Sequence, residues 1–591
     1  MQISSLSLNA ARPQSACGCS QPHTPGAPGD RFIRNEEPPA PPVPPTPPAP
    51  EPPPAPEPPP APEPPPAPEP PPEPSPNVQV KVYPQDPRVS PPVTIDFARG
   101  NIGAELGGDR VRIADIGHEI ARPDENGNYL FEPNTPQFSQ VNAHAVTYNT
   151  LELMQQYHGG AIEWSFGGPT LEVVPHKQEG RNAYYSRWEG STNFFYFDSP
   201  TQGIHVKTAN STDVVSHEAG HAILDGLKPG YFSTWDEETG GFHEAFGDCA
   251  AMLVNLQSPE NRSKIMDQTG GNLRTPNILA GLAEEFGFSN RADNQNPADD
   301  GKEYLRTALN GFKYKPASEF PPGKGTDDTM TREVHSFSRI FSAGFYDVLD
   351  GVYQQGIFEE RQCPADALKY AADVVGPLFM KSISMGSANQ ARYKDIALGM
   401  IQADQQNNNG KYSDIIKKAF LDREILTQED LAPPPPPPTL QLDKPLASKE
   451  DALEFVTANA DKLQVPAEAN YQVQNVYKNG KGETFVNVLI PQEVPVQGVA
   501  GYEGFTTDIN GGLTLAFDAQ GKLMNCKYTP VTAESIQQEM AGIEQLKDTG
   551  KIQERGVFNS TNPNGSIFKG FVKGQKLVRV PVANGCAGHD H

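Results

Sequence analysis

Long apolar runs are missing from this 591-residue chain. No stretch of about 20 apolar residues occurs, which excludes a membrane-spanning helix. The first thirty residues hold no apolar core after their basic residues, so a standard secretory signal is not expected. Cysteine is scarce. Cys17, Cys19, Cys249, Cys363, Cys526 and Cys586 are scattered, which excludes a dense disulfide framework and any Cys-x-x-Cys zinc pair. Basic residues are few: Lys and Arg number 48 against 73 Asp and Glu, a net charge of −25 that argues against nucleic acid or an anionic membrane as partner.

Proline is what the chain has in excess, with 62 residues. Between 37 and 76 it recurs in the unit Glu-Pro-Pro-Pro-Ala-Pro, with Glu51, Glu57, Glu63 and Glu69 in step. Proline fixes φ and removes the backbone donor, so this tract is expected as extended polyproline II reaching on the order of 100 Å. Residues 1–76 thus read as a disordered arm with a stiff spacer, preferred over a docking site for an aromatic-groove domain. A second run, Pro433 to Pro438, sets a linker at 432–439. It separates a central region, 77–431, from a tail, 440–591.

The central region is organised around Ser211 to Leu227, STDVVSHEAGHAILDGL. Residues four apart on a helix share a face, so His217 and His221 can aim two imidazoles at one zinc ion. Glu218, one step round, can take a proton from a water in the ion's open position. A surface helix that happens to carry two histidines is the bland alternative. Asn210, Ser211, Thr212 and Asp213 supply N-cap candidates, while Gly226 and Pro229-Gly230 supply a stop. A second apolar segment restarts after Gly240-Gly241 and carries Glu244 and Asp248 one turn apart. Glu244 can complete a two-His, one-Glu site. Asp248 can accept the outer N–H of His217 and fix its tautomer.

His217-Glu-Ala-Gly-His221, followed by a helix with Glu244 and Asp248 at this spacing, resembles the thermolysin-like (gluzincin) metallopeptidases. The likeness runs over about residues 110 to 430. Asn193-Phe-Phe-Tyr-Phe197 is similar to the strand with which that family binds substrate, which implies roles for Asn193 and Phe194. Val334-His335-Ser336 resembles the segment carrying a catalytic histidine, and Tyr231 stands where the family places a tyrosine. The resemblance thus implies that His335, helped by Tyr231, stabilises a tetrahedral oxyanion. Phe138 to Gly159 is similar to the long first helix of the family's N-terminal lobe. Asp213 matches a calcium ligand, but the acidic position eleven past Glu244 is Asn255, so a double calcium site is not carried over intact. His243 replaces a usual Asn. No residue matches the family's substrate-carbonyl arginine; Arg332 and Arg339 lie near His335 in sequence, and neither is assigned that role. The family is usually exported, an expectation the missing signal leaves open.

These readings together give an α+β chain: a two-lobed thermolysin-like catalytic domain, a small tail domain and the proline-rich arm. The N-lobe spans about 77–210, with strands expected at Val78–Tyr83, Val111–Ile113, Ala161–Trp164 and Asn193–Phe197. The active-site helix spans 212–227, and a helical lobe spans about 240–431. In the tail, an amphipathic helix at Lys449–Leu463 precedes strands at Tyr471–Tyr477, Thr484–Ile490, Gly512–Asp518 and Leu523–Tyr528. Asp518-Ala-Gln-Gly521 reads as a hairpin turn. Parts of the tail faintly resemble the family's propeptide modules, so a helix-on-sheet module that covers the cleft or binds substrate is expected. Cys586, His589 and His591 read as a frayed terminus. The expected function is zinc-dependent endopeptidase action on a peptide or protein. The alternatives are an exopeptidase of the same superfamily and a non-catalytic zinc-stabilised binding protein.

Overall fold

Strand alternation opens the ordered chain: Val78, Val80 and Val82 of β1 (Asn77–Val82) are buried while Asn77 and Gln79 face water. The structure, a computed structural model, describes residues 76–103, 105–294, 303–323, 325–433, 435–554 and 567–582. The proline-rich arm, Cys17, Cys19, Cys586, His589 and His591 lie outside the described residues. β1 pairs antiparallel with β2 (Val93–Ala98), and a short α1 (Arg99–Ile102) and β3 (Val111–Ile113) follow. Helix α2 (Pro136–His158) starts where Thr135 accepts from the Phe138 N–H and ends at Gly159, whose φ of 79° suits a residue without a Cβ.

β4 (Leu171–Val174), β5 (Ala183–Ser186) and β6 (Ser191–Phe194) join β3 in a sheet ordered β3-β4-β6-β5. β3, β4 and β6 run parallel, and β5 is antiparallel to β6. β7 (Tyr196–Ser199) and β8 (Ile204–Lys207) form a separate hairpin. Two expectations are corrected here. The aromatic run 193–197 is not one strand but changes sheets at Phe195, whose N–H donates to Thr208 Oγ1. Ala161–Trp164 is not a strand; side-chain bonds hold it instead, from Arg110 to the Ile162 carbonyl and from Trp164 Nε1 to the Arg110 carbonyl.

Helix α3 (Thr212–Leu227) is capped by Ser211, which accepts from the Val214 N–H, and runs through Gly226. Helix α4 (Glu237–Asn255) begins at the Asp236 cap, earlier than the glycine pair suggested. Gly240 and Gly241 lie inside it because neighbours press there: a Cβ on Gly240 would stand 2.7 Å from Val334 Cγ1. α5 (Pro259–Thr269), β9 (Gly281–Leu282), α6 (Glu284–Asn294) and β10 (Arg306–Thr307) follow, with β9 and β10 paired. The rest is helical: α7 (Val334–Phe358), α8 (Pro364–Met385), α9 (Tyr393–Asn408) and α10 (Ser413–Asp422). Phe337, Ile340, Phe341, Phe345, Val348 and Leu349 of α7 are buried as their spacing requires. None of the described helices is long and apolar enough to cross a membrane.

The tail begins with α11 (Lys449–Ala458) and α12 (Ala460–Leu463), two pieces where one helix was expected, and Leu453 is exposed. β11 (Gln472–Lys478), β12 (Thr484–Pro495), β13 (Thr506–Phe517) and β14 (Leu523–Thr529) form an antiparallel meander. At its expected turn, Asp518 Oδ1 accepts from the Gln520 and Lys522 N–H groups. Helix α13 (Ala533–Asp548) and strands β15 (Ile552–Gln553), β16 (Gly570–Lys573) and β17 (Lys576–Arg579) complete the sheet, β17 pairing parallel with β13. The tail is packed hard onto the central region. Lys228, wholly buried just past α3, donates to Asn487 Oδ1 at 2.7 Å and to the Ser384 and Gly386 carbonyls, and Asn475 donates to the Gly226 and Leu227 carbonyls.

Candidate metal centre

Two glycines let α3 and α4 approach closely. Gly220 lies against Gly247, and a Cβ on Gly247 would collide with the His217 ring. That contact turns His217, His221 and Glu244 toward one point. His217 Nε2 is 3.3 Å from Glu244 Oε2, and His221 Nε2 is 3.7 Å from Glu244 Oε1. His221 Nε2 and Glu244 Oε1 are buried without a hydrogen-bond partner. A tetrahedral ion with bonds of about 2.0–2.1 Å holds its ligand atoms roughly 3.3 Å apart, so this donor set fits zinc. Glu218 brings a carboxylate oxygen within 4.8 Å of ligand nitrogens on both histidines, as a base beside the open position requires.

The partners of the two imidazoles differ. His217 Nδ1 lies 3.1 Å from Asp248 Oδ1, the neighbour expected to orient it, and 3.3 Å from Arg306 Nη2. Asp248 is gripped by Arg306, whose Nη2 donates to Oδ1 at 2.6 Å, and by Ser342, whose hydroxyl donates to Oδ2 at 3.0 Å. Burial pushes the Asp248 carboxyl up, but Arg306 and the His217 bond outweigh it and hold it down at about 2. His221 Nδ1 lies 3.1 Å from His243 Nδ1, and His243 stacks on Phe232 with centroids 4.1 Å apart. Burial lowers both His221 and His243, so both rings are neutral. An Nδ1–H on His221 donating to His243 frees the His221 Nε2 lone pair.

His335 is brought in at the start of α7. Its Nε2 is 3.3 Å from Glu244 Oε2, and its Nδ1 is 2.7 Å from Glu333 Oε1. Glu333 also caps α7 by accepting from the His335 and Ser336 N–H groups. Burial disfavours the charged ring, but the carboxylates of Glu244 and Glu333 win and raise its pKa.

Other expected residues fall elsewhere. Tyr231 sits in a buried turn after α3, its ring against Phe242 and its hydroxyl in the fields of Asp395 and Tyr477, turned toward the helical region and the tail. Asn193 and Phe194 are on β6, which is paired on both sides, and the Asn193 amide donates to Ser191 Oγ and Glu189. The edges of that sheet are β3 and β5, and β5 is preceded by Asn182. Asp213 is wholly buried, accepts from the Ala283 N–H and from Gln85 Nε2, and lies beside Asp86 and Glu284. Burial first, then the charge of Asp86, pushes it up to about 7. Arg332 reaches toward Glu237, and Arg339 toward loop carbonyls.

Three further neighbours of the candidate centre carry no motif of their own. Arg306 lies 58 residues past Asp248, on a two-residue strand. Ser342 was the most accessible of the three, since it follows His335 by seven residues and so shares its helix face. Lys569 comes from the far end of the chain. Its Nζ donates to the Val582 carbonyl at 3.0 Å; burial depresses its pKa, while Glu244 and Glu218 draw it up. Around it, Ile567, Val580 and Val582 pack on Tyr184 and Phe195. The Arg187 N–H donates to the Pro581 carbonyl, and Val582 bridges Ser186 antiparallel, so the tail adds backbone to the edge strand β5. Arg187 in turn clasps Asp225 of α3. His217, Glu218, His221 and Glu244 are all 0% exposed beneath this cover. Comparison with protein-family models and with curated proteins finds no match.

Proposed function

We propose that this chain is a zinc-dependent endopeptidase whose own tail covers its catalytic groove. The observation that carries the reading is the convergence of His217, His221 and Glu244 at ligand spacing, with Glu218 and His335 beside them. Zinc held there would acidify a water and polarise the scissile carbonyl. Glu218 takes the proton of the attacking water and passes it to the leaving amine. His335, held as a donor by Glu333, stabilises charge developing on the carbonyl oxygen. Arg306 and Ser342 position Asp248, which positions His217. The central region then corresponds to the two lobes of a thermolysin-like domain.

The decisive test is zinc content together with cleavage-site mapping on a peptide library, with and without chelator. A Glu244→Ala chain that kept its full zinc would overturn the ligand assignment. Cover by the tail is supported by strand addition to β5 and by Lys569 standing near Glu218 and Glu244. Calcium enters only at Asp213, where a hard cation would offset the crowding of Asp86 and Glu284. A thermal melt that calcium leaves unchanged would remove it.

A further inference from the structure

A second set of metal-ligating side chains lies on the N-terminal sheet. β3 and β4 are parallel neighbours with Ile113 opposite Val173, and the Ala114 N–H donates to the Val173 carbonyl. Asp115 and His176 each stand two residues past the end of their strand, so the register delivers them side by side. His118, three residues past Asp115, turns back onto the same carboxylate. His176 Nδ1 is 2.8 Å from Asp115 Oδ2, and His118 Nδ1 is 3.2 Å from Asp115 Oδ1. One ligand atom from each residue falls within a 4.8 Å span, and the two rings are 4.5 Å apart.

The surroundings are built rather than accidental. The Asp115 side chain is 0% exposed and His176 only 4%, while His118 is 36% exposed and leaves one side open to water. Gln140 Nε2 donates to Asp115 Oδ2 at 2.7 Å, and the Ala121 N–H fixes the other end of that amide. The described hydrogen-bond partners of Asp115 are thus two imidazoles and one amide. His176 Nε2 is buried and has no hydrogen-bond partner, so Asp115 is what its ring is aimed at.

We propose that Asp115, His118 and His176 bind a divalent transition metal, zinc, nickel or copper, with water completing the coordination. Two imidazole nitrogens and one carboxylate suit these borderline ions and not calcium or magnesium, which take oxygen ligands. The site is independent of the peptidase reading, because it shares no ligand with His217, His221 or Glu244. The bland account is a carboxylate that merely accepts two imidazole N–H bonds.

The test is a metal count on the full chain after equilibration with zinc and gel filtration. His118→Ala, at a partly exposed position, should hold about one zinc equivalent fewer than wild type, and Glu244→Ala should lose a different equivalent. Copper bound by a chain carrying His217→Ala, His221→Ala and Glu244→Ala should show electron-spin coupling to two nitrogens, reduced to one when His118→Ala is added. Equal zinc in wild type and His118→Ala, or copper without nitrogen coupling, would overturn the proposal. A missing equivalent in His118→Ala but not in Glu244→Ala would keep this site and sink the catalytic one.

Discussion

At the scale of single residues, the centre separates holding from reacting. Gln has nearly the shape of Glu, so replacing Glu218 by Gln should remove a base and spare the packing around it. Glu218→Gln is expected to keep zinc and lose roughly 10²–10⁴-fold in kcat, checked by single-turnover peptide cleavage. Undiminished turnover would refute the base assignment. His335→Ala should lower kcat more than it raises KM, because its interaction grows with the oxyanion. Glu539 gives a prediction about pH. It accepts from the Thr234 hydroxyl and the Trp235 N–H, and burial, then the charge of Asp236, pushes it up to about 7. A carboxyl whose folded pKa is raised contributes stability below its unfolded value, about 4.3, and loses it as pH climbs toward 7. The melting temperature should therefore fall across that window, and Glu539→Gln should make the slope shallower in calorimetry.

At the scale of elements, the sequence was most legible where periodicity and caps agreed. α3 was placed within a residue because Ser211 caps it and its histidines share a face. α7 was placed by its stripe of Phe and Ile. Misreadings came from glycine and from aromatics. Gly240-Gly241 looked like a break but are thin places inside α4 where α7 comes close. The 193–197 run looked like an edge strand but feeds two sheets, so the edge role passes to β5. Only the folded order β3-β4-β6-β5 shows this, and Ala183–Ser186, which forms β5, is not among the strands expected from the sequence. Gly247 is the element-scale counterpart of the proposed metal ligands. Gly247→Ala should force the His217 ring out of place, cost about 1–3 kcal/mol in stability and lower zinc content, checked by denaturant titration with metal analysis.

At the scale of the whole molecule, the tail is part of the folded body rather than an appendage. Phe485 and Ala516 belong to the same apolar core as α7 and α8. Deleting 440–591 would take Asn487 and Thr514 away from buried Lys228, leaving it only the Ser384 and Gly386 carbonyls, and would expose that core, so this truncation should aggregate instead of activating. Substitutions confined to the cover, such as Val580→Asp with Val582→Asp, should leave the body folded and raise peptide turnover by about tenfold or more, in line with the 10–200-fold reach of apolar pocket contacts. Unchanged turnover with retained fold would show that the cover does not block the groove. Why this could not be read from the sequence is plain: Lys569 and Glu218 are separated by most of the chain, and neither strand β16 nor β17 carries a motif.

Among the described residues, the two wholly buried lysines have a consequence for chemistry done on the intact protein. Amine-reactive reagents find most lysines at the surface, but Lys228 and Lys569 have no exposure at all. If the tail covers the groove as proposed, acylation of Lys569 would report the lifting of that cover, while Lys228 would stay unlabelled until the body itself comes apart. A mass-spectrometric footprint at those two positions therefore distinguishes opening from unfolding in a single sample.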